Sequence, residues 1–133
     1  MIDLGPLRYF LRIEITSFPD GYSLSQQRYT LDLLARSGLT DTRAAATPME
    51  LHLQLCASDG TPLPDLSRYH HLVGSLVYLA VTRPDISHAV YILSQFVGAP
   101  TSVHYAHLLR VLRYLRGTTS RSLFYSRQSS LQL

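Results

Sequence analysis

The C-terminal half of the chain contains three helical patterns joined by very short connections. Apolar residues recur every three or four positions over about 66–81, 85–97 and 102–116. Pro84 and Pro100 lie at the boundaries, where a residue without an amide proton is tolerated. Each segment needs a partner for its apolar face, so the pattern predicts a small three-helix bundle. The faces are Tyr69, Leu72, Val73, Leu76, Leu79 and Ala80, then Ile86, Val90, Leu93 and Val97, then Leu108, Val111, Leu112 and Leu115.

The N-terminal half has a different pattern. Residues 7–15 are rich in aromatic and β-branched side chains, a turn sequence follows at 19–21, and residues 22–25 predict a returning strand. From residue 26 the period becomes helical, and Gly38 stands where such a helix would end. Residues 40–65 contain three prolines and little periodicity, which predicts an extended linker with one short strand near 51–55.

These patterns predict an α+β fold with five successive parts. We expect a β-hairpin over 1–25, a helix over 26–38, an extended linker over 39–65 and a helical subdomain over 66–121. In the last part, residues 122–133, the run 122–126 is compatible with a strand.

The composition limits the kind of protein that this chain can be. Its 133 residues suffice for one domain. Only 16% of them are charged, against about 25% in typical domains, so the surface is short of solubilising groups and a missing partner domain is predicted. The net charge is +3, and all 12 basic residues are Arg. Arginine favours bidentate contact with phosphate, although codon usage can produce the same bias. The single Cys56 excludes an internal disulfide.

Targeting signals are not evident in the sequence. The longest apolar stretch, residues 72–81, is far shorter than the roughly 20 residues of a membrane span. The N-terminus lacks the basic start and apolar run of a signal peptide. We therefore expect an intracellular protein that is neither secreted nor transmembrane.

The third helical segment carries a stripe of arginines. Arg110, Arg113 and Arg116 fall on the side opposite the apolar residues when the segment is drawn as a helix. Such a stripe is typical of helices that contact phosphates, and also of ordinary solvated surface helices.

Catalytic and metal-binding patterns are weak. The pairs His70-His71 and His104/His107 supply too few ligands for zinc, so we expect no metal site. Asp85, Ser87 and His88 have the residue types of a hydrolase triad, but they lack a nucleophile elbow, and Asp85 is better explained as a helix cap. The carboxylates are too scattered for a two-metal site.

The remaining candidate is a non-catalytic surface of cations and flat rings that holds a nucleic-acid backbone. The alternative is that Tyr9 or Phe10 lies in the core and the arginines are merely solvated. The candidate nucleic-acid-binding residues are Arg8, Tyr9, Phe10, Arg12, Arg83, Arg110, Arg113 and Arg116.

Several blocks of the sequence, taken in order, resemble the Pol polyprotein of copia-type retrotransposons at the C-terminal part of its reverse transcriptase. The blocks are Leu4-Gly5-Pro6-Leu7-Arg8-Tyr9-Phe10-Leu11, Leu24-Ser25-Gln26 with Tyr29 and Leu33-Leu34, Thr47-Pro48-Met49, Tyr69 with Leu72-Val73-Gly74-Ser75-Leu76 and Tyr78-Leu79, Thr82-Arg83-Pro84-Asp85-Ile86, Ser94-Gln95-Phe96, and Leu112-Arg113-Tyr114-Leu115-Arg116-Gly117-Thr118.

The resemblance implies a hairpin similar to a primer grip, followed by a helical thumb and connection, with residues 122–133 starting the link to ribonuclease H. In that family the palm's Tyr-x-Asp-Asp turn precedes these blocks, so the resemblance implies a fragment that is not itself an enzyme. The implied partners are an RNA–DNA or DNA duplex and the missing palm and ribonuclease H domains, with no membrane. The fragment would hold no cofactor, because the family's Mg²⁺ is bound elsewhere.

Three positions depart from the family pattern. Arg12 stands where the family usually has Gly, and a side chain there would fill space used for close backbone approach. Tyr105 replaces a Trp, and His107 replaces an Ala. Two other interpretations stay open: a helical protein-interaction module, and a decayed, non-functional relic of a retroelement.

Overall fold

The computed structural model describes residues 8–10, 13–39, 43–50 and 53–126, and it has the α+β fold that the sequence predicts. Strand β1 (Arg8–Phe10), β2 (Ile13–Phe18) and β3 (Gly21–Ser25) precede helix α1 (Gln27–Arg36) and helix α2 (Leu66–Leu79). A 3₁₀ turn (Pro84–Ile86) leads into α3 (Ser87–Ser94), followed by α4 (Ser102–Arg116) and β4 (Leu123–Ser126).

The four strands form one antiparallel sheet in the order β1-β2-β3-β4. The turn at Pro19 and Asp20 joins β2 to β3 as predicted, whereas the single strand predicted over 7–15 is divided between β1 and β2. Residues 123–126 pair with β3, so the segment interpreted as the start of a link completes the sheet. The rings of Phe18 and Phe124 lie 6.4 Å apart on one side of this sheet.

The bounds of α2 and α4 agree closely with the periodicity, and capping residues stand at the start of both, whereas α3 is shorter than the predicted segment 85–97 because a 3₁₀ turn forms its beginning. Asp65 accepts a hydrogen bond from the Ser67 amide at 3.1 Å at the start of α2, and the two hydrogen bonds from Ser67 hold the pKa of Asp65 below its usual range. Thr101 and His104 form a reciprocal capping box at the start of α4. Gly38 follows α1 with a φ of 78°, a conformation that favours glycine.

The helical core contains the predicted apolar faces, and α1 extends it. Leu33 of α1 is fully buried in the same cluster as α2, α3 and α4, so the bundle has four helices rather than three. The Tyr69 hydroxyl donates to the Leu93 carbonyl at 2.6 Å, and burial raises the pKa of Tyr69 to about 12. The buried apolar residues are Leu33, Met49, Tyr69, Leu72, Val73, Leu76, Leu79, Ile86, Ala89, Val90, Leu93, Leu108, Val111, Leu112, Tyr114 and Leu115.

The predicted linker is irregular, but it packs on α4. The Leu63 amide donates to the Pro100 carbonyl at 3.0 Å, and the Ser102 amide donates to the Thr61 carbonyl at 2.8 Å. The strand predicted near 51–55 does not form at 53–55, and the linker instead has an isolated β-bridge between Pro62 and Thr101. Residues 51 and 52 lie outside the described residues.

None of the helices in the described ranges is long and apolar enough to cross a membrane.

Candidate nucleic-acid interface

Arg83, one of the candidate phosphate contacts, is turned into the protein. Its side chain is 4% exposed, and it donates to both carboxylate oxygens of Asp85, at 3.1 and 2.9 Å. It also donates to the Thr118 carbonyl at 3.0 Å and to the Thr118 hydroxyl at 2.7 Å. With its donors engaged in this way, Arg83 joins the turn before α3 to the segment after α4 and is not presented to a ligand.

Asp85 is the centre of this network, and it does not cap a helix as the sequence had predicted. Its carboxylate accepts from Arg83 and from the Tyr114 hydroxyl, and it lies 3.5 Å from Arg121. Partial burial raises the pKa of Asp85, but the hydrogen bonds from Arg83 and Tyr114 and the charge of Arg83 outweigh it and hold the pKa below its usual range. The carboxylate is therefore used to fix the fold, and no catalytic triad forms around it.

Tyr114 connects the same network to two cations. Its ring lies 5.8 Å from the guanidinium carbon of Arg83 and 5.7 Å from that of Arg121. Burial, followed by the hydrogen bond to the Asp85 carboxylate, raises the pKa of its hydroxyl. Two blocks of the sequence that lie far apart along the chain, 82–86 and 112–118, thus meet in one electrostatic cluster.

Arginines of the α4 stripe form hydrogen bonds and an ion pair with the segment 43–50. Arg110 donates to the Thr47 carbonyl at 3.3 Å and to the Thr47 hydroxyl at 2.8 Å, and it pairs with Glu50 at 3.3 Å. Arg116 donates to the Arg43 carbonyl. The stripe therefore has a structural role as well as a charge.

An open cleft of about 350 Å³ lies where this segment meets α4. Three arginines and one histidine contribute to its walls, and the other lining residues are alanines, so the described residues that line it include no acidic side chain. The lining residues are Arg43, Ala44, Ala45, Ala106, His107, Arg110 and Arg113. We call this the arginine cleft.

His107, one of the residues that line the arginine cleft, has a pKa below its usual value. Burial lowers the pKa of His107, and the charge of Arg110 lowers it further, against a smaller opposing effect from Glu50. Asp59 also opposes the shift by raising this pKa.

The hairpin candidates are in a different part of the fold. Arg8, Tyr9 and Phe10 form β1, where Tyr9 is opposite Glu14 and its two neighbours are opposite isoleucines of β2. The side chains of these three residues lie outside what the structure describes, so the predictions for them stay predictions. Arg12 lies outside the described residues. The structure thus brings Arg110 and Arg113 together at the cleft and places Arg83 in the interior.

The histidines act in the fold individually. His104 is fully buried, accepts from the Thr101 amide through Nδ1 at 3.1 Å and contacts the Cys56 carbonyl through Nε2 at 3.0 Å. Because an amide can only donate and a carbonyl can only accept, this geometry fixes the neutral imidazole with its proton on Nε2. His70 and His71 contact Val97 and Arg36 respectively. Across the described part of the chain, no three His, Cys, Asp or Glu residues are grouped to hold a metal ion.

Sequence reasoning missed Arg43 and His107 as members of the basic surface. Arg43 lies in a segment without periodicity, so no helical face predicted its position. The only signal was the short block Thr47-Pro48-Met49, whose buried Met49 anchors the segment beside α4.

Comparison with known proteins shows which proteins this chain is similar to. Over nearly its whole length the chain is homologous to Pol polyproteins of copia-type retrotransposons, and the resemblance inferred from the sequence is confirmed at that level.

The relatives differ greatly in length. The chain is 50% identical over 127 residues to the retrovirus-related Pol polyprotein from transposon RE2 of Arabidopsis thaliana, a match that covers 96% of this chain and 9% of that protein. It is 41% identical over 133 residues to an uncharacterized mitochondrial protein of the same plant, covering 100% of this chain and 55% of the relative. A putative transposon Ty5-1 protein of Saccharomyces cerevisiae is 36% identical over 135 residues, and 44% of it is covered. The chain thus spans less than a tenth of the RE2 polyprotein and about half of the two shorter relatives.

No family model matches the chain, and no solved structure matches it.

Proposed function

We propose that this chain is a non-catalytic part of a copia-type reverse transcriptase that positions a primer–template duplex. In this proposal the hairpin β1–β2 corresponds to a primer grip and the helical subdomain to the thumb and connection. The palm and ribonuclease H domains would be its partners, and Mg²⁺ would be bound by them and not by this chain. Homology to Pol polyproteins supports the proposal, because the resemblance implies that this region belongs to the reverse transcriptase of such a polyprotein.

The arginine cleft is the observation that carries the proposal. The apolar face of α4 is buried in the core, while Arg110 and Arg113 converge with Arg43 on an open cleft at the surface. Guanidinium groups grouped in this way suit phosphate oxygens, which they contact with planar pairs of donors. Contacts of this kind position a duplex without reading its sequence.

Binding of a short RNA–DNA hybrid, measured by fluorescence anisotropy over a range of salt concentrations, tests the proposal. We expect weak binding whose log–log salt slope falls by about 0.9 for each phosphate contact that is removed. The double variant Arg110→Gln/Arg113→Gln should reduce both affinity and slope. The matched control Arg28→Gln/Arg36→Gln removes the same charge from α1 and should leave both nearly unchanged. Equal losses in the two variants would reject the stripe as the interface.

Incubation with primer–template, nucleotides and Mg²⁺ tests the non-catalytic part of the proposal. We expect no primer extension, because the clustered carboxylates that two-metal transfer requires are not evident in this sequence. Extension by the purified chain would contradict the proposal.

A second candidate is a protein-interaction module that docks neighbouring parts of Pol. The favouring observation is the pair Phe18 and Phe124, which are 43% and 48% exposed and lie side by side on the sheet. Docking through this pair predicts binding to a separately expressed palm that persists at high salt and is lost in Phe18→Ser/Phe124→Ser. Tyr91→Ser, at a 63% exposed position of α3, is the matched control.

A further inference from the structure

We propose that Thr82 and Arg83 are positioning residues that fix the direction of the sheet relative to the helical bundle. We call this pair the 82–83 anchor. The inference rests on the proposed function, because that function requires the hairpin and the helices to hold the same duplex. It adds the element of the fold that keeps these two parts aligned.

Apolar packing does little to orient the sheet. Within the described ranges, neither the buried core nor the apolar residues packed against it include a residue of any strand. The more extensive contacts between described elements join strand to strand or helix to helix. The direction of the sheet therefore depends on the two connections at which the chain passes between sheet and bundle, 25–27 and 117–122.

Thr82 holds the first connection. Its hydroxyl donates to Oε1 of Gln26 at 2.8 Å, and the two residues are only 1% and 2% exposed. Gln26 is the residue between β3 and α1, and its Nε2 has no hydrogen-bond partner among the described residues. The amide is thus oriented by Thr82. Glu14 of β2 also accepts from the Arg28 amide at 3.1 Å, but this contact is exposed and water competes for both groups.

Arg83 holds the second connection. The hydrogen bonds from its guanidinium to the carbonyl and hydroxyl of Thr118, at 3.0 and 2.7 Å, fix the segment between α4 and β4. Asp85 accepts from the same guanidinium at 2.9 Å and so prevents it from turning away.

The 82–83 anchor is itself fixed to the bundle. The amides of Thr82 and Arg83 donate to the carbonyl of Leu79, the last residue of α2, at 3.1 and 3.0 Å. The strands that the two connections serve, β3 and β4, are paired with each other in the sheet. Two neighbouring residues on one rigid turn therefore hold both strands, and with them the hairpin that β3 extends.

The distance between two spin labels, measured by double electron–electron resonance, reports the direction of the sheet. One label is placed at Asp20→Cys in the turn between β2 and β3, and the other at His88→Cys on α3, both exposed positions. The exposed Cys56 is replaced in Cys56→Ser so that only these two sites react. We expect a narrow distance distribution when the anchor is intact.

The test variant is Gln26→Leu/Thr82→Val/Thr118→Val. It replaces the polar groups by apolar ones of similar shape, so we expect little change in the urea midpoint but a broader distance distribution. Tyr69→Phe is the control, because it removes a buried hydrogen bond of 2.6 Å inside the bundle and should leave the width unchanged. If circular dichroism shows the triple variant to be unfolded, Thr82→Val replaces it and should broaden the distribution, whereas Thr82→Ser keeps the hydroxyl and should not. An unchanged width in the folded test variant, or equal broadening in Tyr69→Phe, would overturn the proposal.

Binding of the RNA–DNA hybrid separates this inference from the proposed function. The test variant removes no cation, so we expect its affinity to fall about threefold to tenfold with the salt slope nearly unchanged. If the wild type binds the hybrid and the variant binds it equally well, or keeps a narrow distance distribution, the anchor is overturned while the proposed function stands. If the distribution broadens as expected but the wild type does not bind the hybrid at any salt concentration, the proposed function is overturned, and the 82–83 anchor remains a device that orients the sheet.

Discussion

The hydroxyl of Tyr114 donates a hydrogen bond to the carboxylate of Asp85, and this bond joins α4 to the turn that begins α3. Arg83 donates a hydrogen bond to the same carboxylate and another to the Thr118 hydroxyl. In the sequence, Arg83 looks like a surface arginine and Asp85 like a helix cap, whereas in the structure the two form this cluster. Its buried cation and its partly buried anion make the stability of the fold sensitive to either partner.

Removal of the Asp85 charge should destabilise the chain strongly. In Asp85→Asn the guanidinium of Arg83 stays buried without a counter-ion. Breaking a fully buried pair costs about 3–5 kcal/mol, and because the Asp85 side chain is 30% exposed we expect about 2–4 kcal/mol. Asp32→Asn is the control, because Asp32 is paired with Arg36 on the surface and its side chain is 57% exposed, so we expect a change of less than about 0.5 kcal/mol. Urea unfolding followed by circular dichroism measures both. A similar small loss in the two variants would show that Asp85 does not neutralise Arg83.

Acid should destabilise the fold in two separate pH ranges. The pKa of His107 is lower in the folded chain than its usual 6.5, so the unfolded chain takes up more protons there, and stability falls as the pH drops through 6.5 to the folded value. The pKa of Asp85 is lowered from 3.8, so the stability contributed by its carboxylate is complete above that value and is lost as the pH falls through the folded value.

Thermal melts between pH 8 and pH 2 test these two ranges. His107→Gln should flatten the first decrease without changing the second, and Asp85→Asn should flatten the second alone. Asp65, whose pKa is also lowered, adds a decrease at low pH that both variants retain. A wild-type profile that is flat between pH 7 and pH 5 would contradict the assignment to His107.

Two glycines should respond to alanine in opposite directions. Gly38 has a φ of 78°, and a Cβ there would meet Nη2 of Arg68 at 2.4 Å, so Gly38→Ala should cost about 1–2 kcal/mol. Gly74 is exposed in the middle of α2 and has nothing within 4 Å of an added Cβ, so Gly74→Ala should stabilise the chain by about 1 kcal/mol. Chemical denaturation of the pair distinguishes the two environments. A loss of stability in Gly74→Ala would indicate an unseen contact on that face of α2.

The buried imidazole of His104 should be one of the most important single side chains for stability. It joins the start of α4 to Cys56 and stacks on Phe96 with ring centroids 3.9 Å apart. His104→Ala leaves a cavity and two unpaired polar groups, and we expect a loss of about 3 kcal/mol. The control His88→Ala removes an exposed histidine of α3 and should change stability little. If His104→Ala and His88→Ala changed the free energy of unfolding equally, the buried contacts of His104 would not stabilise the fold.

The helices could be predicted from the sequence because their information is local. The bounds of α4 follow from Thr101, the apolar period and Gly117, all within a few residues of one another. The pairing of β4 with β3 could not be predicted, since strand partners far apart in sequence leave no local signal.

The candidate site was predictable only in part, for a related reason. Periodicity places Arg110 and Arg113 on the outer face of α4, and the structure shows them there. It gives no information on whether Arg83 faces solvent or a carboxylate, or on where an irregular segment carries Arg43. Those positions depend on tertiary contacts with Asp85, Thr118 and Thr47.

The pairing of β3 with β4 also determines when the sheet can be finished. Every helix of the bundle lies between these two strands in the chain, so during translation β3 leaves the ribosome long before its partner exists. Closing so long a loop is slow compared with local helix formation. The bundle should therefore assemble first and bring the two strands together, and until then the edge of β3 is open to pairing with another nascent copy.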